Sequence, residues 1–177
     1  KHRFNNKLSI NSGLHFLLLT YNNKYSIEPR FSLKWQAHHE LPWALGVEHA
    51  SRKTELDAET IWNAYMEEWK GHDCDNLLLS SEDFEFIHNK QRIKDLMNGI
   101  SIKIIVYLRR QDLYLDSEYS QHLRMYGTRC TYKISDFWFK YNFGPRFNYR
   151  QLISPWATLF GSDSIIVRLF EPNHFKP

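Results

Sequence analysis

The chain has 177 residues, 16% of them aromatic, and its 23 lysines and arginines nearly balance its 20 aspartates and glutamates. This length fits one domain, residues 1–177, with enough chain to bury a sizeable core. The net charge of +3 favours anionic ligands only weakly and excludes the dense basic surface of a nucleic-acid-binding protein, and no apolar run is long enough for a membrane span.

Cys74 and Cys130 are far apart, which is typical of free thiols in a reducing compartment, so we expect a cytoplasmic protein. Residues 72–75 (HDCD) lack a second ligand cluster at usable spacing, and we predict no metal site.

Apolar periodicity divides the chain into alternating strands and helices. Short apolar runs indicate buried strands, and apolar residues three and four positions apart indicate helices. The predicted elements are, in chain order, a strand at 15–21, a loop at 25–35, a short helix within 33–50, a helix at 54–71, a strand at 76–80, one or two helices at 84–96, a strand at 102–108, a helix from Asp112, an irregular aromatic stretch at 127–146, a helix at 149–160 and a strand at 164–169. Because the spacing between the strands at 76–80 and 102–108 fits a βαβ crossover, we expect an α/β fold with a three-layer parallel sheet flanked by helices.

Residues 104–119 contain the clearest unit, a strand followed by a basic turn and a helix. β-Branched and apolar residues end at Leu108, Arg109 and Arg110 follow at once, and Asp112 is a candidate N-cap. Apolar residues then recur at helical spacing in one stripe that consists of Leu115, Tyr119, Leu123 and Tyr126.

This unit predicts an anion site. Ligands of parallel sheets collect beyond the carboxyl ends of strands, where a helix N-terminus offers unpaired N–H groups and the positive end of its dipole. Arg109 and Arg110 add fixed charge, and the Ser117 hydroxyl lies away from the apolar stripe, where it can donate to the same anion. In the alternative interpretation, Ser117 is merely exposed and the arginines pair with nearby carboxylates, namely Asp112, Asp116 or Glu118.

The string at 106–112 (VYLRRQD), with Ser117 after it, resembles the bacterial sulfotransferase-like family, which has a P-loop nucleotide-kinase-type fold. Residues 36–45 and 148–168 resemble the same family, so the likeness covers most of the chain. In sulfotransferases an arginine at a strand end and a serine eight residues later hold the 3′-phosphate of 3′-phosphoadenosine 5′-phosphosulfate (PAPS). The resemblance therefore implies that Arg109 and Ser117, with Arg110, bind PAPS as co-substrate. It also implies that a sulfuryl group moves, without a metal, to a hydroxyl of a carbohydrate or similar small acceptor.

The phosphate-binding loop of such enzymes is not found in these residues. The seven glycines are dispersed, and no Gly-Lys-Ser/Thr or Lys-Thr-Gly-Thr string occurs. In the family that loop lies just upstream of a segment resembling residues 1–17, so we expect a fragment without its first strand and loop, and without its last helix. Two alternatives stay open: a truncated, catalytically inactive domain that binds a nucleotide or only a partner, and another P-loop-type transferase that uses the same unit for a different phosphate.

Sulfuryl transfer needs a general base, which takes the proton of the acceptor hydroxyl. His38 and His39 are adjacent and point about 100° apart on a helix, so only one of them can face the sulfate. We rank His39 above His38, because Glu40 and the proline that follows indicate that a helix begins there. Glu40 and Glu82 are rival bases. Glu82 follows the strand at 76–80 and so lies at the carboxyl edge, or it is a first-turn acid that answers a helix dipole.

Overall fold

The computed structural model describes the backbone of residues 15–20 and 26–27 and, with side chains, residues 38–48, 54–71, 75–125, 127, 129–140 and 146–170. The elements are β1 (His15–Thr20), β2 (Ser26–Ile27), α1 (Glu40–Ala44), α2 (Ala58–Lys70), β3 (Asn76–Ser81), a 3₁₀ helix (Glu82–Phe86), α3 (Lys90–Leu96), β4 (Ile102–Leu108), α4 (Gln111–Arg124), α5 (Ile134–Lys140), α6 (Tyr149–Phe160), a second 3₁₀ helix (Ser162–Ser164) and β5 (Ile165–Leu169). No helix in this part of the chain is both long and apolar enough to cross a membrane. The prediction of an α/β fold is confirmed.

The described strands form one sheet of five, in the order β2-β3-β1-β4-β5. β2 is parallel to β3, and β4 is parallel to β5. β1 is antiparallel to both of its neighbours, with Leu18 opposite Leu79 on one side and Ile104 on the other. The sheet is therefore mixed and not wholly parallel as predicted, because a run of apolar residues marks a strand without specifying its direction. β3, β4 and β5 still run the same way, so their carboxyl ends share one edge, which we call the carboxyl edge.

Helix α2 shows how the sequence builds one of the covering helices. The Asp57 carboxylate accepts from the backbone N–H of Thr60 at 2.6 Å and caps the first turn. The face predicted from spacing is buried at Ile61, Trp62 and Tyr65, and the helix ends just before Gly71. The core that it joins draws on the sheet, the first 3₁₀ helix, α3 and α6, and includes Leu77, Leu79, Phe84, Ile93, Ile104, Val106, Leu152 and Trp156.

Helix α4 departs from its predicted cap and face. It begins at Gln111, and Asp112 lies within its first turn, where it does not act as the N-cap. The residues buried on α4 are Tyr114 and Glu118, whereas Leu123, from the predicted apolar stripe, is 45% exposed. The other predicted residues, Leu115 and Tyr119, are half-buried, and Tyr126 lies outside the described residues. Hydrophobic periodicity could not mark Glu118, because a glutamate is buried only when a charged or polar partner elsewhere in the chain contacts it.

The stretch predicted to be irregular contains one short helix. α5 is fixed by Phe137, which is fully buried and lies edge-on to Tyr119 and His122 of α4, with ring centroids 5.2 Å apart in both cases. Within the predicted loop at 25–35, residues 26–27 pair with β3 as β2. The rest of that loop, residues 141–145 and Cys74 lie outside the described residues, while Cys130 is a buried free thiol.

Candidate functional site

The carboxyl end of β3 carries the first group of reactive side chains. The segment that precedes α1 runs beside β3, because the backbone N–H of His38 donates to the carbonyl of Ser80 at 2.8 Å. This pairing brings His39 to the point where β3 ends and the first 3₁₀ helix begins. We call the group formed there by His39, Trp43, Ser81 and Asp83 the histidine cluster.

Asp83 is the centre of the histidine cluster. Its Oδ2 lies 2.7 Å from Nδ1 of His39 and also accepts from Nε1 of Trp43 at 2.9 Å. Its own backbone N–H donates to Oγ of Ser81 at 3.1 Å, which is the cap of the 3₁₀ helix. The imidazole of His39 stacks on the Trp43 indole, with 5.5 Å between centroids and 10° between planes. The ring is therefore fixed by stacking on one face and by hydrogen bonding at one edge.

The hydrogen bonds assign the proton of His39 to Nδ1. An ionised carboxylate only accepts, so the contact with Asp83 needs a donor at Nδ1, and Ser81 Oγ lies near the same proton at 2.9 Å. Nε2, the other ring nitrogen, takes no part in this contact, and the His39 side chain is 13% exposed. An imidazole oriented by a carboxylate through one nitrogen is the arrangement found in general bases.

His38 has a different environment from its neighbour. It is buried, its ring lies edge-on to Tyr65, and its Nδ1 accepts from the backbone N–H of Ser80 at 3.0 Å. A second contact, from Nδ1 to the Ser80 carbonyl, is longer at 3.4 Å, and a nitrogen that already accepts has no proton to donate there. Burial lowers the pKa of His38 to about 4, so the ring is neutral at physiological pH. His38 thus serves to join the segment before α1 to β3.

The two predicted rival bases, Glu40 and Glu82, are placed differently. Glu40 is the first residue of α1 and is buried, which raises the pKa of its carboxyl, and its Oε2 has no hydrogen-bond partner among the described residues. Glu82 is exposed in the first turn of the 3₁₀ helix, next to Asp83. Of the candidate bases, His39 is the one that the structure holds by both a carboxylate and an aromatic ring.

The two predicted anion-binding arginines also differ. Arg110 forms an ion pair with Asp112, with Nη2 2.6 Å from Oδ2 and side chains that are 76% and 59% exposed. Arg109 is half-buried, and its guanidinium carbon lies 5.7 Å from the ring centroid of Phe170. Its Nε is buried without a hydrogen-bond partner in the described part of the chain, where the guanidinium also has no carboxylate within ion-pair distance. Arg109 therefore keeps N–H donors for an anion. Arg110 pairs with a nearby carboxylate, as the alternative interpretation predicted.

Ser117 and Arg109 belong to the same strand-turn-helix unit. Arg109 follows the last residue of β4, and its carbonyl oxygen accepts from the Tyr149 hydroxyl, which holds the turn against the start of α6. Ser117 is half-buried in the second turn of α4.

A second buried group, which the sequence analysis missed, lies at the same edge. Arg146 Nε is 2.8 Å from Glu85 Oε1, and its Nη1 is 3.3 Å from Glu118 Oε2. Its guanidinium carbon lies 5.1 Å from the Phe86 ring and 5.3 Å from the Tyr114 ring. We call Glu85, Tyr114, Glu118 and Arg146 the arginine cluster. Arg146 falls in the stretch predicted to be irregular, and neither glutamate stands at a position that spacing alone marks as special.

Glu85 has the most perturbed carboxyl in the arginine cluster. Its side chain is 1% exposed, and burial raises its pKa to about 8, with a further contribution from the charge of Glu118 and an opposing one from Arg146. Arg146 Nε lies 2.8 Å from Glu85 Oε1, but its N–H is not aimed at that oxygen, so the contact is not a hydrogen bond. Burial also raises the pKa of the Tyr114 hydroxyl, which is reinforced by Glu85.

Comparisons with known proteins place the chain beside one archaeal sequence. An uncharacterized protein of Archaeoglobus fulgidus is 35% identical over 101 residues, which is 56% of this chain and 26% of that protein. The chain thus spans about a quarter of the length of the relative that it matches. No family model and no solved structure matches.

No three histidine, cysteine, aspartate or glutamate side chains converge as a metal site would require in the ranges that the structure describes. The chemical groups present there are an oriented imidazole, a half-buried guanidinium and a pair of carboxylates around Arg146.

Asp83 was also missed in the sequence analysis, although a signal for it exists: a serine at a strand end, followed two residues later by an acid, is a common turn-capping pattern.

Proposed function

We propose that this chain is part of a PAPS-dependent sulfotransferase with a P-loop nucleotide-kinase-type fold, which transfers a sulfuryl group to a hydroxyl of a carbohydrate or similar small acceptor. The observation that carries the proposal is the 2.7 Å contact between His39 Nδ1 and Asp83 at the carboxyl edge of β3. That contact orients the imidazole, and we assign the role of proton acceptor to its other nitrogen, Nε2. Arg109, whose Nε has no hydrogen-bond partner among the described residues, follows β4 at the same edge. The buried thiol of Cys130 fits a reducing compartment, and the proposed location is the cytoplasm.

In the proposed reaction, the acceptor hydroxyl attacks the sulfur of PAPS in line. The new O–S bond forms while the bond from sulfur to the bridging phosphate oxygen breaks, and that electron pair leaves on adenosine 3′,5′-bisphosphate. The acceptor proton moves to Nε2 of His39. Asp83 holds the imidazole in the required tautomer and stabilises the imidazolium that forms.

The proposed nucleotide contacts are Arg109 and Ser117, which would bind the 3′-phosphate of the nucleotide. Arg109 suits this role because its guanidinium is partly withdrawn from water, where charge-assisted hydrogen bonds to phosphate are strongest. Arg110 is ion-paired with Asp112, so we assign it a smaller role in nucleotide binding. Groups for the 5′-phosphosulfate are not assigned within the described residues.

The decisive experiment compares two nucleotides on the full-length protein by calorimetry. Adenosine 3′,5′-bisphosphate should bind at least ~10-fold more tightly than AMP, because only the former presents a 3′-phosphate. Arg109→Met should remove this preference, and Arg110→Met, the matched neighbour, should leave it nearly intact. Transfer of labelled sulfate from PAPS to a panel of sugars then tests turnover. Equal affinity for the two nucleotides refutes the proposal. A 3′-phosphate preference without any transfer supports a nucleotide-binding domain and refutes the enzyme.

A further inference from the structure

The segment from Arg146 to Tyr149 fastens the start of α4. The Gln111 side chain donates to the carbonyl of Phe147 at 3.0 Å, and the Tyr149 hydroxyl donates to the carbonyl of Arg109. The Phe147 ring also stacks on Tyr114 of α4, with centroids 4.9 Å apart. The strand-turn-helix unit proposed for anion binding is therefore held from outside by the residues that lead into α6.

The Arg146 side chain connects α4 to a second element, the first 3₁₀ helix. Through Nη1 it reaches Glu118 on α4, and through Nε it reaches Glu85 on the 3₁₀ helix. These two carboxylates lie on segments that follow β3 and β4, which the central strand β1 keeps apart in the sheet. In the part of the chain that the structure describes, no other residue is ion-paired to both elements.

The 3₁₀ helix carries Asp83 as well as Glu85. It is only five residues long, and Asp83 and Glu85 are both buried. A displacement of Glu85 must therefore move Asp83, and Asp83 sets the orientation of His39. The chain of contacts runs from α4 through Glu118, Arg146, Glu85 and Asp83 to His39.

We infer that Arg146 is a positioning residue that sets the distance between the proposed base, His39, and the proposed nucleotide-binding helix α4. This inference rests on the proposed function. Arginine suits the task because its planar guanidinium offers two edges to two carboxylates and lies against the rings of Phe86 and Tyr114. A lysine carries a single point charge, which cannot contact both glutamates in the same way.

Turnover measurements test this role with Arg146→Lys, Arg146→Ala and a control, Arg150→Ala, which removes an exposed arginine four residues later. Both Arg146 variants should lower kcat by ~10–100-fold, as expected when reacting groups shift by about 1 Å. The affinity for adenosine 3′,5′-bisphosphate should change much less, because its proposed contacts, Arg109 and Ser117, both belong to the strand-turn-helix unit and keep their relative positions. Ethylguanidinium added to Arg146→Ala should restore part of kcat, whereas it should not affect the control. A variant whose KM rises while kcat is unchanged overturns the inference.

Glu118→Gln provides a second route, in case the Arg146 variants fold poorly. Because Gln is nearly isosteric with Glu, this variant should fold and show a loss of kcat similar to that of Arg146→Lys. The double variant, Glu118→Gln with Arg146→Lys, should lose no more kcat than either single variant, since both substitutions break the same contact. Additive losses overturn the inference.

Hydrogen exchange separates the failure of this inference from the failure of the proposed function. Glu118→Gln on α4 should speed amide exchange in the 3₁₀ helix at Asp83 and Phe84, whether or not PAPS is turned over. If exchange spreads in this way but no sulfate is transferred, the coupling stands and the sulfotransferase proposal fails. If the effect is confined to α4, the inference is refuted even in an active enzyme.

Discussion

The substitution Asp83→Asn tests the proposed base most directly. In the folded protein Oδ2 of Asp83 accepts from both His39 and Trp43. The amide oxygen of asparagine can occupy that position and keep both hydrogen bonds, so the variant should fold. It should lose the negative charge that stabilises the imidazolium of His39 during proton transfer.

The expected magnitude follows from the kind of hydrogen bond that is lost. A charge-assisted bond contributes roughly 1.5–3 kcal/mol, against about 1 kcal/mol for a neutral one. At ~1.4 kcal/mol per tenfold change in rate, the difference of about 0.5–2 kcal/mol predicts a fall in kcat of about 2–30-fold. Asp83→Ala should do more, because it frees the His39 ring and removes the carboxylate acceptor of the buried Trp43 N–H, which costs about 1–3 kcal/mol of unfolding free energy.

The assay is sulfate transfer at saturating PAPS, together with calorimetric binding of adenosine 3′,5′-bisphosphate. Nucleotide affinity should be unchanged in Asp83→Asn, because Asp83 acts on the acceptor side of the reaction. Asp116→Asn removes an exposed carboxylate from α4 and is the control for a change of net charge. If Asp83→Asn turns over as fast as the control, His39 is not a carboxylate-oriented base and the proposed mechanism is wrong.

Three further predictions follow from the same contacts. His39→Ala should lower kcat by ~10²–10⁴-fold, whereas His38→Ala should mainly lower the unfolding free energy, by about 1–3 kcal/mol, because the backbone N–H of Ser80 loses its acceptor; kinetics and urea denaturation distinguish the two. Folding raises the pKa of Glu85 from 4.5 to about 8, so the folded state retains a proton that the unfolded chain has released. Its contribution to stability is therefore fully present below about pH 4.5 and is lost as pH rises to about 8, by at most ~5 kcal/mol; Glu85→Gln should flatten this dependence in urea melts at pH 5 to 8, and an unchanged slope would assign the proton elsewhere. Arg110→Ala should change the unfolding free energy by less than ~1 kcal/mol, because its ion pair with Asp112 is exposed; a larger loss in thermal melts would show that the turn depends on this pair.

Local sequence pattern was sufficient to predict several elements of the fold. The strand at 102–108 and the helix at 149–160 have the predicted bounds, since both have clear apolar spacing and well-marked ends. Strand direction was not predictable, because the pairing of β1 depends on residues far along the chain. The buried face of α4 was not predictable either, because Glu118 is buried only by virtue of Arg146.

The candidate site was predictable residue by residue but not as a set of contacts. Histidines are common general bases and arginines at strand ends commonly bind anions, so His39 and Arg109 could be proposed from sequence. The partner of His39 could not, because Asp83 lies far along the chain and is brought close only when the segment before α1 pairs with β3. The same reason hid Arg146, whose role depends on two glutamates from different segments.

The antiparallel insertion of β1 has a consequence for how the chain reaches this structure. β1 is made before its neighbours in the sheet, β3 and β4, so residues through 108 must be synthesised before the middle of the sheet can close. Strand pairings between residues this far apart in sequence are slow to form, because the chain must lose conformational entropy before the stabilising contacts are made. Until then the apolar residues Phe16 to Leu19 lack the two strands that flank them in the sheet, and unpaired apolar strands are prone to aggregate. Expression of residues 1–75 alone should therefore yield insoluble material, because this segment lacks β3 and β4, the two strands that flank β1 in the sheet.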